Sequence, residues 1–338
     1  MKYTKYVKGA PISLPTPDYH DPKTGIDIYL YSRGRILAKN PEFKLKGLGT
    51  HTVDIGVKCD IGCGYCSNGP IFRTQKVFKQ IGMTSYEPGF AVIDPDAPEK
   101  LLDQQKGLKA ADEVVVCSKS DAWSPYAIRH KLGRKILKNI LENTDARVRI
   151  ITKSALVRKD FDLIKAHRDR VAIGISITGL PKHDAIVKTY EQNAGLVSER
   201  IATMNEAACM GLRVFAMFCP LCPGLFSDEA DVERLFKLAV KWPAEGIWTE
   251  ILNPRGPGII NCAQNLAEAG YTAVAEAFDA IRNKDGRSDY SLKLTRNVQK
   301  VCRRLRLIDR LHMLTYRSSI SDAVQRQIRR DPKGIVWL

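Results

Sequence analysis

Val53-Asp54-Ile55-Gly56-Val57-Lys58-Cys59-Asp60-Ile61-Gly62-Cys63-Gly64-Tyr65-Cys66 is the stretch on which the reading of this chain turns. Its first half alternates and is β-branched, the pattern of a strand. Its second half carries three cysteines spaced C-x3-C-x2-C. Thiolate is the ligand form of cysteine, so three thiols on one short loop predict a metal site. Gly56, Gly62 and Gly64 let the backbone wrap closely around a bulky group. Three ligands close neither a tetrahedral nor a cubane site. An iron–sulfur cluster held by three cysteines keeps one iron free for a substrate or cofactor. Structural zinc asks for four protein ligands. Cys219 and Cys222, themselves a C-x2-C pair, offer a fourth, as in the half-sites of a zinc ribbon.

Upstream, Pro11, Pro15, Pro17, Pro22 and Pro41 punctuate residues 1–50 and predict an extended arm, with one short strand near Ile28–Ser32. Downstream, strands and helices alternate. The candidate strands are Thr52–Val57, Glu113–Cys117, Val148–Thr152, Val171–Ile177, Arg213–Phe218 and Ile247–Leu252. Each is short and rich in Val and Ile, as strands covered on both faces are. Ile136, Leu137, Ile140 and Leu141 share one helical face, as do Tyr271, Val274, Phe278 and Ile281. Six such units predict a parallel sheet with right-handed crossovers, rolled into an open, partial barrel. The first strand runs into the cysteine loop, which puts that loop at the C-terminal mouth, where such sheets bind ligands. The tail reads as helical, with an apolar stripe of Val298, Val301, Leu305 and Ile308 and with Lys300, Arg303, Arg304 and Arg310 largely off it. The expected division is an N-terminal arm over 1–50, the barrel over 51–284 and a basic helical C-terminal extension over 285–338.

The chain of 338 residues has a formal net charge of +16. From Arg282 onward fifteen Lys and Arg face five Asp and Glu. That excess favours a polyanionic partner such as a nucleic acid, with Tyr316, His312 and Trp337 available for stacking. No apolar run approaches the ~20 residues that span a bilayer, and the N-terminus lacks an apolar signal core. Nine cysteines, an odd number, without a secretory signal fit a reducing cytoplasm. Cys209, Cys262 and Cys302 read as helix-face packing.

The expected strand ends carry further candidates. Lys153 is a cation suited to a carboxylate, or a lysine following a strand into solvent. Ser120 and Ser176 offer small hydroxyls, or are ordinary turn and strand serines. Asp121 accepts from an ammonium, or caps a helix ahead of Pro125. Glu250, Asn253 and Arg255 converge on one mouth for ligand recognition, or form an Asn-Pro turn with an internal ion pair.

With Tyr65 just before the third cysteine, the loop resembles the signature of the radical S-adenosylmethionine (radical SAM) enzymes. A narrower resemblance, over roughly residues 51–256, is to the spore photoproduct lyase and DNA repair photolyase-like branch. It rests on Ser118-Lys119-Ser120-Asp121, Ile151 to Asp160, Ile175-Ser176-Ile177-Thr178, Cys219 to Leu225 and Glu250 to Gly256. The resemblance implies an α/β fold with a partial (β/α)6 radical SAM barrel. It implies a [4Fe-4S] cluster on Cys59, Cys63 and Cys66, with SAM on the open iron, and SAM contacts from Ser120, Asp121, Lys153, Ser176, Glu250, Asn253 and Arg255. It further implies an enzyme that makes a 5′-deoxyadenosyl radical, fed by an external electron donor such as flavodoxin or ferredoxin.

The chain also departs from that branch. Ser118 stands where the lyase has its hydrogen-donor cysteine, with Cys117 one residue earlier, and on a strand one residue turns a side chain to the opposite face. Ser67 stands where the lyase has a tyrosine, while Tyr65 is retained. Tyr65, Cys117, Cys219 and Cys222 are therefore the candidate catalytic residues. Cys219 and Cys222 supply a thiol donor or a second metal, or are buried small apolar residues. Radical chemistry on a nucleic acid or nucleotide is the first functional expectation. Radical SAM modification of a peptide or small metabolite is the second, and a zinc-stabilised nucleic-acid-binding protein without catalysis is the third.

Overall fold

Runs of valine and isoleucine build the sheet. Val114, Val115 and Val116 are all fully buried, as are Ile150, Ile173 and Ile175, so these strands have no solvent face. The structure, a computed structural model, describes residues 5–7, 10–12, 15–226 and 228–338. It is a mixed α/β fold with several sheets. Eight parallel strands are numbered here in chain order: β1 His51–Val53, β2 Glu113–Val116, β3 Arg147–Thr152, β4 Val171–Ile175, β5 Ala216–Leu221, β6 Ile247–Ile251, β7 Leu311–Thr315 and β8 Ile335–Trp337. The first four pair in sequence order, and so do the last four. The expected strand Arg213–Phe218 splits at this junction: Arg213–Val214 pairs with β4, the chain then enters β5, and a parallel bridge from Ser176 to Met217 also joins the two series. Sequential parallel pairing puts every strand's C-terminal end on one side, and the loops that follow those ends meet there.

Helices cover the outside. Leu132–Asn143 buries Ile136, Leu137, Ile140 and Leu141, as its periodicity predicts. Inside the sheet curve, Gly174 makes room for a ring, since a Cβ there would stand 2.2 Å from Phe215. Arg149 lies between Phe215 and Trp248, 4.8 Å from each ring centre, and pairs with Glu113.

Three further sequence expectations change here. The run Thr52–Val57 is not one strand. Residues 51–53 join the main sheet, and Gly56–Lys58 joins a second sheet, antiparallel to Phe90–Ile93. Gly56 permits that close pairing, because a Cβ would meet the Val92 carbonyl at 2.3 Å. The arm also contributes structure. Ile26–Leu30 pairs with Phe90–Ile93, and Leu37–Lys39 edges the main sheet; before residue 15 the described residues are Lys5–Val7 and Ala10–Ile12, which pair antiparallel.

The C-terminal extension is not simply helical. After the helix Lys284–Arg304 the chain returns as β7, the helix Asp322–Arg329 and β8, adding two parallel strands to the sheet. Much of its basic charge is paired, Arg303 with Asp331 and Arg304 with Glu229 and Glu233. Two of the proposed stacking aromatics are committed inside the protein. His312 stacks on Trp248 at 4.5 Å, and the Tyr316 hydroxyl donates to Glu250. Cys262 and Cys302 are buried, whereas Cys209 is exposed rather than packed.

Candidate active site

The cysteine loop is held by the backbone of residues 190–193. Gly64 N donates to the Tyr190 carbonyl at 2.7 Å and Asn193 N to the Ile61 carbonyl at 3.0 Å, with a bridge between Cys63 and Glu191. Gly62 sits at φ +70°, and a Cβ on Gly64 would reach the Cys262 sulfur at 3.2 Å. Both glycines are therefore required by the path of the loop. Asp60, buried between the first two cysteines, accepts from Tyr126 N at 2.7 Å.

Cys59 and Cys63 are partly exposed and Cys66 is exposed. Burial by surrounding protein raises the Cys59 thiol and pushes Cys63 up to about 12. Two lysines sit among these sulfurs. Burial lowers Lys58, and nearby Cys66, Cys59 and Cys63 oppose that shift. Burial would lower Lys153 as well, but Cys63 and Glu191 outweigh it and raise the group. No three His, Cys, Asp or Glu side chains stand at metal-binding spacing among the described residues. The donor set nonetheless suits a thiolate-ligated iron–sulfur group: three sulfurs on one glycine-bent loop, with two lysines to balance thiolate charge.

Cys63 and Cys66 border two cavities, of about 260 and 40 Å³. The larger lies at the C-terminal ends of the strands. From the sequence candidates it gathers Tyr65, Cys117, Lys153, Ser176, Cys219, Glu250, Asn253 and Arg255. It does not gather Cys59, Ser120, Asp121 or Cys222. Ser120 is buried, accepting from Ile55 N at 3.0 Å and lying against Asp54. Asp121 is filled by Thr152 Oγ1, Lys153 N and Trp123 N at 2.8–2.9 Å. Neither lines this cavity, and both tie strand ends together. Cys222 lies buried beside Tyr190 and does not line the cavity, whereas Cys219 does, so the two cysteines do not face the loop together. Strand alternation predicted Cys117 turned away. However, β2 ends at Val116, alternation ends with it, and Cys117 and Ser118 both border the cavity.

Asp54 holds the loop after β2. It accepts from Ser118 N at 2.9 Å, Ser118 Oγ at 2.8 Å, Lys119 N at 2.6 Å and Ser120 N at 3.0 Å. Asp54→Ala is expected to cost about 3 kcal/mol by stranding these donors, read as a lower urea midpoint with unchanged slope.

Sequence reasoning missed two groups. Glu191 and Arg200 form a buried ion pair beneath the loop. Asn40, Glu42 and Lys46, from the arm, complete the cavity wall opposite the cysteines. Lys46 is 7% exposed, pairs with Glu42 at 2.7 Å and donates to Tyr316 at 3.2 Å. No local pattern marks these residues, because each acquires its role only from distant partners.

No protein-family model matches the chain. The uncharacterized protein MJ0683 of Methanocaldococcus jannaschii is 30% identical over 200 residues, which cover 58% of this chain and 70% of that protein. The chain belongs to the family of that protein. The uncharacterized protein ORF301 of Acidianus two-tailed virus is 24% identical over 209 residues, covering 60% and 67% of the two chains. Neither family name carries an activity. Among solved structures, a mutant of spore photoproduct lyase is similar over 72% of this chain and 68% of its own, at 16% identity and a TM-score of 0.46. The same lyase complexed with dinucleoside spore photoproduct covers 78% and 72%, at 15% identity and a TM-score of 0.45. Among the described residues no helix is long and apolar enough to cross a membrane.

Proposed function

We propose that this chain is a radical SAM enzyme with a partial barrel, holding a [4Fe-4S] cluster through Cys59, Cys63 and Cys66. The observation that carries the reading is the single cavity shared by Cys63, Tyr65, Cys66, Lys153 and Ser176. When bound, the cluster with SAM supplies a 5′-deoxyadenosyl radical able to take hydrogen from a C–H bond. Lys153 meets the methionyl carboxylate, and Ser176 offers a hydroxyl to the amino, carboxylate or ribose groups. The buried aromatic and aliphatic wall keeps water and stray hydrogen donors from the reacting centre. Cys117 and Cys219, both buried and both on the cavity, are the thiols available to return a hydrogen atom. An external one-electron donor such as flavodoxin or ferredoxin completes the requirements.

The cavity favours an anionic substrate. With Lys46 paired to Glu42 and Lys153 assigned to SAM, Lys119 and Arg255 remain against Glu250, a balance that supports a nucleic acid or nucleotide. Anaerobically reconstituted protein is expected to be brown, to hold iron and sulfide, and to turn SAM into methionine and 5′-deoxyadenosine once reduced. A colourless zinc protein inert to SAM would overturn the reading. Lys153→Ala is expected to raise the SAM dissociation constant about 10- to 100-fold, the worth of one charged hydrogen bond, measured by equilibrium dialysis of the reconstituted protein.

A further inference from the structure

Glu191 and Arg200 border neither cavity at the cysteine loop, yet they touch both sides of the larger one from behind. Their side chains are 0% and 1% exposed. A buried ion pair is a poor way to gain stability, because desolvation offsets its attraction. Its value lies in the geometry it imposes. One Glu191 oxygen accepts from the Tyr65 hydroxyl, and Tyr65 lies between Cys63 and Cys66. The other accepts from Arg200 Nη2 and, at 3.1 Å, from Thr178 Oγ1. Arg200 then divides its remaining donors between the exit of β4 and the turn before its own helix, Val197–Cys209. Nη1 reaches the Ser176 carbonyl at 2.9 Å and Thr178 Oγ1 at 3.3 Å, and Nε reaches the Gly195 carbonyl at 2.7 Å. The Lys153 ammonium stands 5.6 Å from the Tyr65 ring centre.

We infer that Glu191 and Arg200 are positioning residues that set the distance between the cysteine loop and the Ser176 and Lys153 wall. This inference rests on the radical SAM reading. The carboxylate fixes the loop through Tyr65, and the guanidinium fork fixes the strand exit through the Ser176 carbonyl and Thr178 Oγ1. An apolar pair of the same volume would fill the space without fixing either end, since dispersion contacts have no direction. Neither residue reaches the reacting atoms, so both act through Tyr65 and Ser176, as groups behind a metal site orient its ligands.

Two mild variants test this. Tyr65→Phe removes one hydroxyl and leaves the ion pair intact. Arg200→Lys keeps the charge and loses the fork. Each is reconstituted anaerobically beside the parent. Iron per chain, the electron paramagnetic resonance signal of the reduced cluster with and without SAM, and the thermal midpoint of the cluster-free protein are recorded. Both variants are expected to load iron as the parent does, to bind SAM about tenfold more weakly and to show an altered SAM-induced signal. Variants that lose thermal stability but keep the parental SAM affinity and signal would overturn the inference, leaving the pair a structural device only. A parent that loads no iron, or loads it and shows no SAM response, would overturn the radical SAM reading itself, which separates the two failures.

Discussion

Cys63→Ala is expected to bring both iron content and SAM cleavage down to the background of protein-free controls. Cys63 borders both cavities at the loop. Removing it leaves two thiols for a group that needs three, and a cluster with two protein ligands has no stable seat. Cys222→Ala provides the contrast. Cys222 is fully buried beside Tyr190 and does not line the cavity. Its loss is expected to leave iron near the parental level, with a modest fall in stability from the small void. The four-ligand zinc alternative predicts the opposite, equal loss of metal from both variants. Metal analysis of anaerobically purified protein decides between them, and equal loss would remove the three-thiolate argument.

Glu191→Ala is expected to destabilise the fold by about 3–5 kcal/mol, because it strands a buried guanidinium. Burial works against ionisation of Glu191, but Arg200 and Lys153 outweigh it and hold the carboxyl below its ordinary range. The pair is therefore charged in the folded protein, and neither partner has water to fall back on. Urea unfolding of cluster-free protein measures the loss. The double variant with Arg200→Ala is expected to lose less than the two single losses added together, since the second substitution removes the stranded charge. Strict additivity would show that the two side chains do not interact.

Local pattern made much of the fold legible. Valine- and isoleucine-rich runs marked β2, β3, β4 and β6 within a residue or two, and 3.6-residue periodicity marked the buried face of Leu132–Asn143. The cysteine spacing and the chemistry of Lys153 and Ser176 were readable because each residue's chemistry and its position after a strand are local facts. The split of residues 51–58 between two sheets was not readable. A strand's partner is chosen by chain far away, here Phe90–Ile93, and alternation within the run is the same in either sheet. The tail misled for a related reason. A strand of five residues between two helices, Leu311–Thr315, becomes a strand by pairing with β6, and nothing inside it outweighs the surrounding helical pattern.

The sequence by itself determined the three-cysteine loop, the alternation of strand and helix, and the lysine that follows β3. Only the tertiary structure decided which serines and cysteines face the cavity, that the arm and tail help to wall it, and that Glu191 and Arg200 lie beneath it. Side-chain identity is written along the chain, whereas facing depends on where a strand stops and on which distant carbonyl or carboxylate takes up each donor.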